Sequence, residues 1–80
     1  MNTKLKIDLI RAKLSSGGKI VGGWQALPCP EVSEMLGGFG FDFVCVDLEH
    51  GNITRHQLPN IFRALELGNT LPMARIAKPI

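Results

Sequence analysis

The chain has little cysteine, little net charge and no long apolar run, and each shortage removes a class of protein. Two cysteines in 80 residues, Cys29 and Cys45, exclude a dense disulfide scaffold and a cysteine-rich zinc site. Nine Lys and Arg against seven Asp and Glu leave a net charge of +2, and the basic residues are scattered, so a nucleic-acid face is not indicated. The longest uninterrupted apolar run, Phe43–Val46, is far short of the ~20 residues of a membrane-spanning helix. No targeting segment is read at the N-terminus, because Asp8 and Arg11 interrupt the apolar stretch behind Lys4 and Lys6. No internal repeat, low-complexity tract or linker divides the sequence. What remains is a globular composition, 45% hydrophobic and 20% charged. The expectation is a soluble, cytoplasmic protein with reduced cysteines. A chain of this length is small for a domain and buries a poor fraction of its surface.

Periodicity orders the elements. Ile7, Ile10 and Leu14 fall on one helical face, with Leu5 and Leu9 spaced four apart, predicting a helix from Thr3 to Ser16. Asn2 or Thr3 can cap it, and Gly17-Gly18 stops it. Lys19–Leu27, with Ile20, Val21 and Trp24, reads as a buried strand bracketed by glycines and Pro28. Pro30 suits a first helical position and Glu31 a first turn, so a short helix runs from there to Gly37-Gly38. Phe41–Leu48 is aromatic and β-branched and reads as a strand buried on both faces, as in a parallel sheet. Thr54 and Gln57 match a capping box, while Pro59 argues that the helix carrying Leu58, Ile61, Phe62 and Leu65 starts a few residues later. Gly68 ends that helix, and Leu71–Ala77 is a third strand with Pro72 near its start. A helix followed by strand–helix–strand–helix–strand is an α/β arrangement built from βαβ units on a parallel sheet.

The densest polar cluster, Asp47-Leu48-Glu49-His50-Gly51, stands where the second strand ends. In parallel α/β folds ligands bind at the carboxyl ends of strands. Asp47 can accept a hydrogen bond from one ring nitrogen of His50 and leave the other as a base; the same residues also fit a solvated loop with a capping aspartate. Arg75 lies in the third strand among Met73, Ala74, Ile76 and Ala77. A charge in an apolar strand needs a partner, either a bound carboxylate or Asp47 or Glu49. Trp24 fits a pocket wall or plain packing. Gly37-Gly38-Phe39-Gly40 follows a helix and precedes a strand, the reverse of a dinucleotide-binding loop. His56 does not share a face with His50 and reads as a surface residue. Cys45 lies inside an apolar strand, and Cys29 has no histidine near it in sequence to activate it as a nucleophile.

GGW at Gly22–Trp24, Pro-x-x-x-Glu at Pro30–Glu34, GFDFVCVDLEHG at Gly40–Gly51 and PMARI at Pro72–Ile76 together resemble the HpcH/HpaI aldolases. These are metal-dependent class II aldolases of pyruvate-derived 2-keto acids, such as 2,4-dihydroxyhept-2-enedioate and 2-keto-3-deoxy sugar acids. The resemblance runs from Lys4 to Ile76. It implies a (β/α)8 TIM barrel of ~250 residues, with residues 1–80 a partial barrel domain: the N-terminal helix plus β-α-β-α-β, the first third. The implied reaction is reversible retro-aldol cleavage of a 4-hydroxy-2-keto acid to pyruvate and an aldehyde.

By the same resemblance His50 is the base, oriented by Asp47 and acting on the substrate hydroxyl through a water. Arg75 holds the pyruvate oxygens and stabilises the enolate. Trp24 and Gly51 line the site, and Glu49 stands near the waters of a divalent metal, Mg2+, Mn2+ or Co2+. The metal's own Glu and Asp ligands belong to later strands and match no position here. A full-length member is a homo-oligomer. The 80 residues alone are expected to lack metal-dependent activity and to fold poorly. Two alternatives stay open: a non-catalytic βαβ module that self-associates, or a lyase of another phosphoenolpyruvate/pyruvate-superfamily type.

Overall fold

A computed structural model describes residues 2–76. Helix α1 spans Thr3–Ser15. Its cap is Asn2, whose Oδ1 accepts the backbone N–H of Leu5 at 3.0 Å and satisfies a donor the first turn leaves free. Gly17, at φ 83°, takes the left-handed conformation that turns the chain out of the helix. There follow β1 (Gly22–Gln25), α2 (Pro30–Gly37), β2 (Phe43–Asp47), a 3-10 turn (Arg55–Gln57), α3 (Leu58–Glu66) and β3 (Leu71–Arg75). The three strands form one parallel sheet in the order β1-β2-β3.

The strands are shorter than their apolar runs. β1 was expected over Lys19–Leu27. At its entrance the Val21 N–H donates to Asp42 Oδ2 and the Asp42 N–H donates to the Val21 carbonyl, each at 2.8 Å, so a side-chain cap replaces the first rung. At its exit Gln25 Nε2 donates to the carbonyls of Leu27 at 2.8 Å and Cys29 at 3.3 Å, which turns the backbone toward α2. Phe41–Leu48 contracts to Phe43–Asp47, because Asp42 is the cap and Asp47 begins the next loop. β3 ends at Arg75; the expected Ala77 lies outside the described residues. Thr54 and Gln57 do interact, with Gln57 Oε1 accepting the Thr54 N–H at 2.8 Å. The turn they close is 3-10, and α3 begins after it with Pro59 in its first turn, where the missing N–H costs no helical bond.

Helices α2 and α3 cover one sheet face. The core there is Val44, Val46, Ile53, Ile61 and Leu65, with Leu36, Phe41 and Phe62 packed around it. The expectation that β2 is buried on both faces is corrected. Val44 and Val46 are fully buried, whereas Phe43 and Cys45 on the opposite face are half-buried. Among the described residues, the helix that meets that face is α1, at the amino ends of the strands. Ile7, Ile10, Ile20, Phe43, Leu71 and Met73 line a pocket of about 310 Å³ there.

Candidate active site

The β2–β3 register pairs Asp47 with Arg75, both at the carboxyl ends of their strands. Parallel pairing therefore delivers a carboxylate and a guanidinium side by side, on the same face as Trp24 of β1. Asp47 Oδ2 accepts from Arg75 Nη2 at 2.9 Å, and Oδ1 accepts from Nε at 3.3 Å, a two-pronged pair. Oδ1 also accepts the backbone N–H groups of Glu49 (2.9 Å) and His50 (3.1 Å), so the aspartate shapes the loop that follows it. Asp47 is only 3% exposed, and burial without these partners would be costly. The hydrogen bond from Arg75 holds its carboxyl well below the usual carboxylate range, with the two backbone N–H groups helping and burial opposing. The same bond raises the pKa of Arg75. Burial first, and Asp47 second, push the Cys45 thiol up.

His50 is exposed beside this pair. Its Nδ1 lies 2.6 Å from Arg75 Nη2 and 4.0 Å from Asp47 Oδ2. The contact expected between Asp47 and the ring is thus made by Arg75, because Asp47 is already occupied. His50 Nε2 lies 3.5 Å from Glu49 Oε1, and Glu49 Oε2 lies 3.7 Å from Arg75 Nε. The Arg75 guanidinium also sits 4.9 Å from the Trp24 ring centroid, a cation–π contact. A Cβ on Gly51 would lie 2.8 Å from the carbonyl oxygens of Ala26 and Asp47, so this position admits the close approach of the loop to β1. His56 is exposed on the 3-10 turn.

Gln25 escaped sequence reasoning. It is 2% exposed, and besides its two carbonyl contacts its Oε1 accepts from Ser33 Oγ at 2.8 Å. It ties the end of β1, one residue beyond Trp24, to α2. A polar residue at the end of an apolar run was its one signal.

Two carboxylates next to one guanidinium and one imidazole do not make a metal centre. Asp47 accepts four hydrogen bonds already. Among the described residues no group of three or more His, Cys, Asp or Glu could hold a metal ion. The residues present do not fit the implied divalent cation as ligands. The described helices include none long and apolar enough to cross a membrane.

Parallel βαβ units with polar residues gathered at the strand carboxyl ends define a segment of a TIM-barrel-type α/β fold. No family model matches the sequence. The 4-hydroxy-2-oxovalerate aldolase of Novosphingobium aromaticivorans is 33% identical over 60 residues, covering 75% of this chain and 23% of that protein. The solved structure of the citrate synthase SbnG matches with a TM-score of 0.72 at 30% identity, over 84% of this chain and 27% of the other. The HpcH/HpaI aldolase from Desulfitobacterium hafniense DCB-2 matches with a TM-score of 0.72 at 24% identity, over 89% of this chain and 28% of the other. The chain spans about a quarter of the length of these relatives. It is a segment of an HpcH/HpaI-like aldolase fold.

Proposed function

We propose that this chain supplies the base and the anion clamp of a class II aldolase site that cleaves a 4-hydroxy-2-keto acid reversibly into pyruvate and an aldehyde. The observation that carries the reading is the joined cluster of Asp47, Arg75 and His50 at the carboxyl ends of adjacent parallel strands. Retro-aldol cleavage needs a base for the substrate hydroxyl and a positive site for the enolate. Arg75 is the positive site: Asp47 grips its Nε and Nη2, and among the described residues nothing hydrogen-bonds to Nη1, which is left for a substrate oxygen. His50 takes the hydroxyl proton through a water. Asp47 positions Arg75, Trp24 walls the pocket beside Gly51, and Glu49 stands at its edge. A divalent cation, Mg2+, Mn2+ or Co2+, would polarise the keto acid when bound; its ligands are not among these residues. The complete protein is read as a cytoplasmic homo-oligomer.

The test is to place these 80 residues in the matching segment of the Novosphingobium aldolase and to assay pyruvate release from 4-hydroxy-2-oxovalerate with each metal. Activity that His50→Ala lowers by about 10²–10⁴-fold supports the reading. A His50→Ala chimera as active as its parent removes His50 as the base. The citrate synthase similarity favours a second reading with a different oxoacid on the same clamp, distinguished by citrate formation in place of pyruvate release.

A further inference from the structure

An arginine side chain only donates hydrogen bonds. With Arg75 Nη2 at 2.6 Å, His50 Nδ1 must accept, so the proton of the neutral ring is on Nε2. Nε2 in turn lies 3.5 Å from Glu49 Oε1, an acceptor suited to that N–H. The one basic lone pair of the neutral imidazole is therefore the one Arg75 occupies. We propose that Arg75 locks His50 in the Nε2–H form with its base atom covered, and that a carboxylate bound at Arg75 draws the guanidinium away and frees Nδ1. The clamp and the base are then not independent: the base becomes available once the clamp has taken an anion.

Three features favour such an exchange. The Arg75 side chain is 37% exposed and His50 69%, so both can move, whereas Asp47 at 4% is fixed. Asp47 and Trp24 hold the guanidinium from its edge and its face, so it can swing about a fixed anchor without leaving the site. The charged groups facing the ring among the described residues are Arg75, Asp47 and Glu49, and Arg75 is the one on Nδ1. The inference rests on the keto-acid reading for the identity of the anion, but the lock itself exists without ligand.

The experiment uses the full chain labelled with 15N-histidine, at a pH well above the ordinary imidazole range so that the ring is neutral. Long-range proton–nitrogen spectra identify which His50 nitrogen carries the proton, with His50→Gln assigning the signal against His56. The expected ligand-free state is Nε2–H with an accepting Nδ1. Arg75→Lys, which keeps the charge and loses the fork, should spread the proton over both nitrogens. Pyruvate, added at constant ionic strength against chloride, should produce the same spreading in the parent and none further in Arg75→Lys.

A ligand-free ring protonated at Nδ1, or one unaffected by Arg75→Lys, overturns the lock. Trp24 fluorescence reports binding independently, because the chain has a single tryptophan and Arg75 lies over it. A saturable change there with no movement at His50 overturns the gate and leaves the keto-acid reading intact. No saturable change overturns both pyruvate as the anion for this chain and the gate, while the ligand-free spectra still decide the lock.

Discussion

Asp47 stays ionised in a nearly closed environment because Arg75 stands across the ladder from it and two loop N–H groups point at the same carboxylate. Its folded-state pKa is depressed, first by Arg75. An unfolded aspartate titrates near ~3.9, so the unfolded chain takes up the proton first as pH falls. The stabilisation is fully present above that value and is lost as pH drops toward the lower, folded one. Asp42 is depressed as well, first by the Val21 N–H, so it contributes to the same acid-side loss. Urea midpoints measured from pH 6 to pH 3 should fall less steeply in Asp47→Asn than in the parent, without becoming flat. Gly51 makes a second residue-scale prediction. A Cβ there would meet two backbone carbonyl oxygens at 2.8 Å, neither able to swing aside. Gly51→Ala is expected to cost about 1–3 kcal/mol in urea unfolding and to alter Trp24 emission, since the displaced loop carries His50.

Helices α2 and α3 meet where their ends are made of glycine. A Cβ on Gly68 would fall on the Gly37 carbonyl, whereas one on Gly38 meets nothing closer than 3.5 Å. Gly68→Ala should therefore cost about 1–3 kcal/mol, while Gly38→Ala should stay within about 0.5 kcal/mol; thermal melts of the pair separate packing from loss of backbone freedom. The sequence showed these glycines as helix stops, because a stop is a local event. It could not show that one stop packs on the other. The same division runs through the fold. Element order, a cap at Asn2 or Thr3 and the Thr54–Gln57 capping box were legible because each is decided within a few residues; that the cap is Asn2 and the boxed turn 3-10 came from the structure. Strand ends were not, because Asp42 and Gln25 terminate pairing with side chains that the apolar pattern does not weigh. For the candidate site, the residues were legible, and so was Asp47 as one of the partners open to Arg75; which of those partners Arg75 takes, and that His50 meets Arg75 and not Asp47, were not. Asp47 pairs with Arg75 through a register 28 residues apart in sequence, and once that pair forms, His50 meets Arg75.

At the scale of the whole molecule, and among the described residues, one sheet face is covered by two helices and the other is largely open, and β1 and β3 are both edge strands. The Leu71 N–H donates to the Asp42 carbonyl, and the Arg75 carbonyl accepts from Leu48. In a parallel ladder alternate residues point both backbone groups the same way. Leu71, Met73 and Arg75 thus face β2, and Pro72 and Ala74 face outward. Pro72 is tolerated in β3 because its missing N–H lies on the open side. Ala74 is exposed there, and among the described residues its outward backbone N–H has no strand beside it, next to exposed Met73 and Ile76. An edge of this kind templates pairing with another strand. The isolated chain is expected to sediment with an apparent mass that rises with concentration. Ala74→Pro removes only the outward N–H, so it should lower that rise while leaving the parallel ladder to β2 and the thermal midpoint nearly in place. Met73→Pro, which removes an inward N–H, should instead unfold the chain. Equal behaviour of the two variants would show that association does not run through the β3 edge, and would shift attention to the apolar pocket between α1 and the sheet.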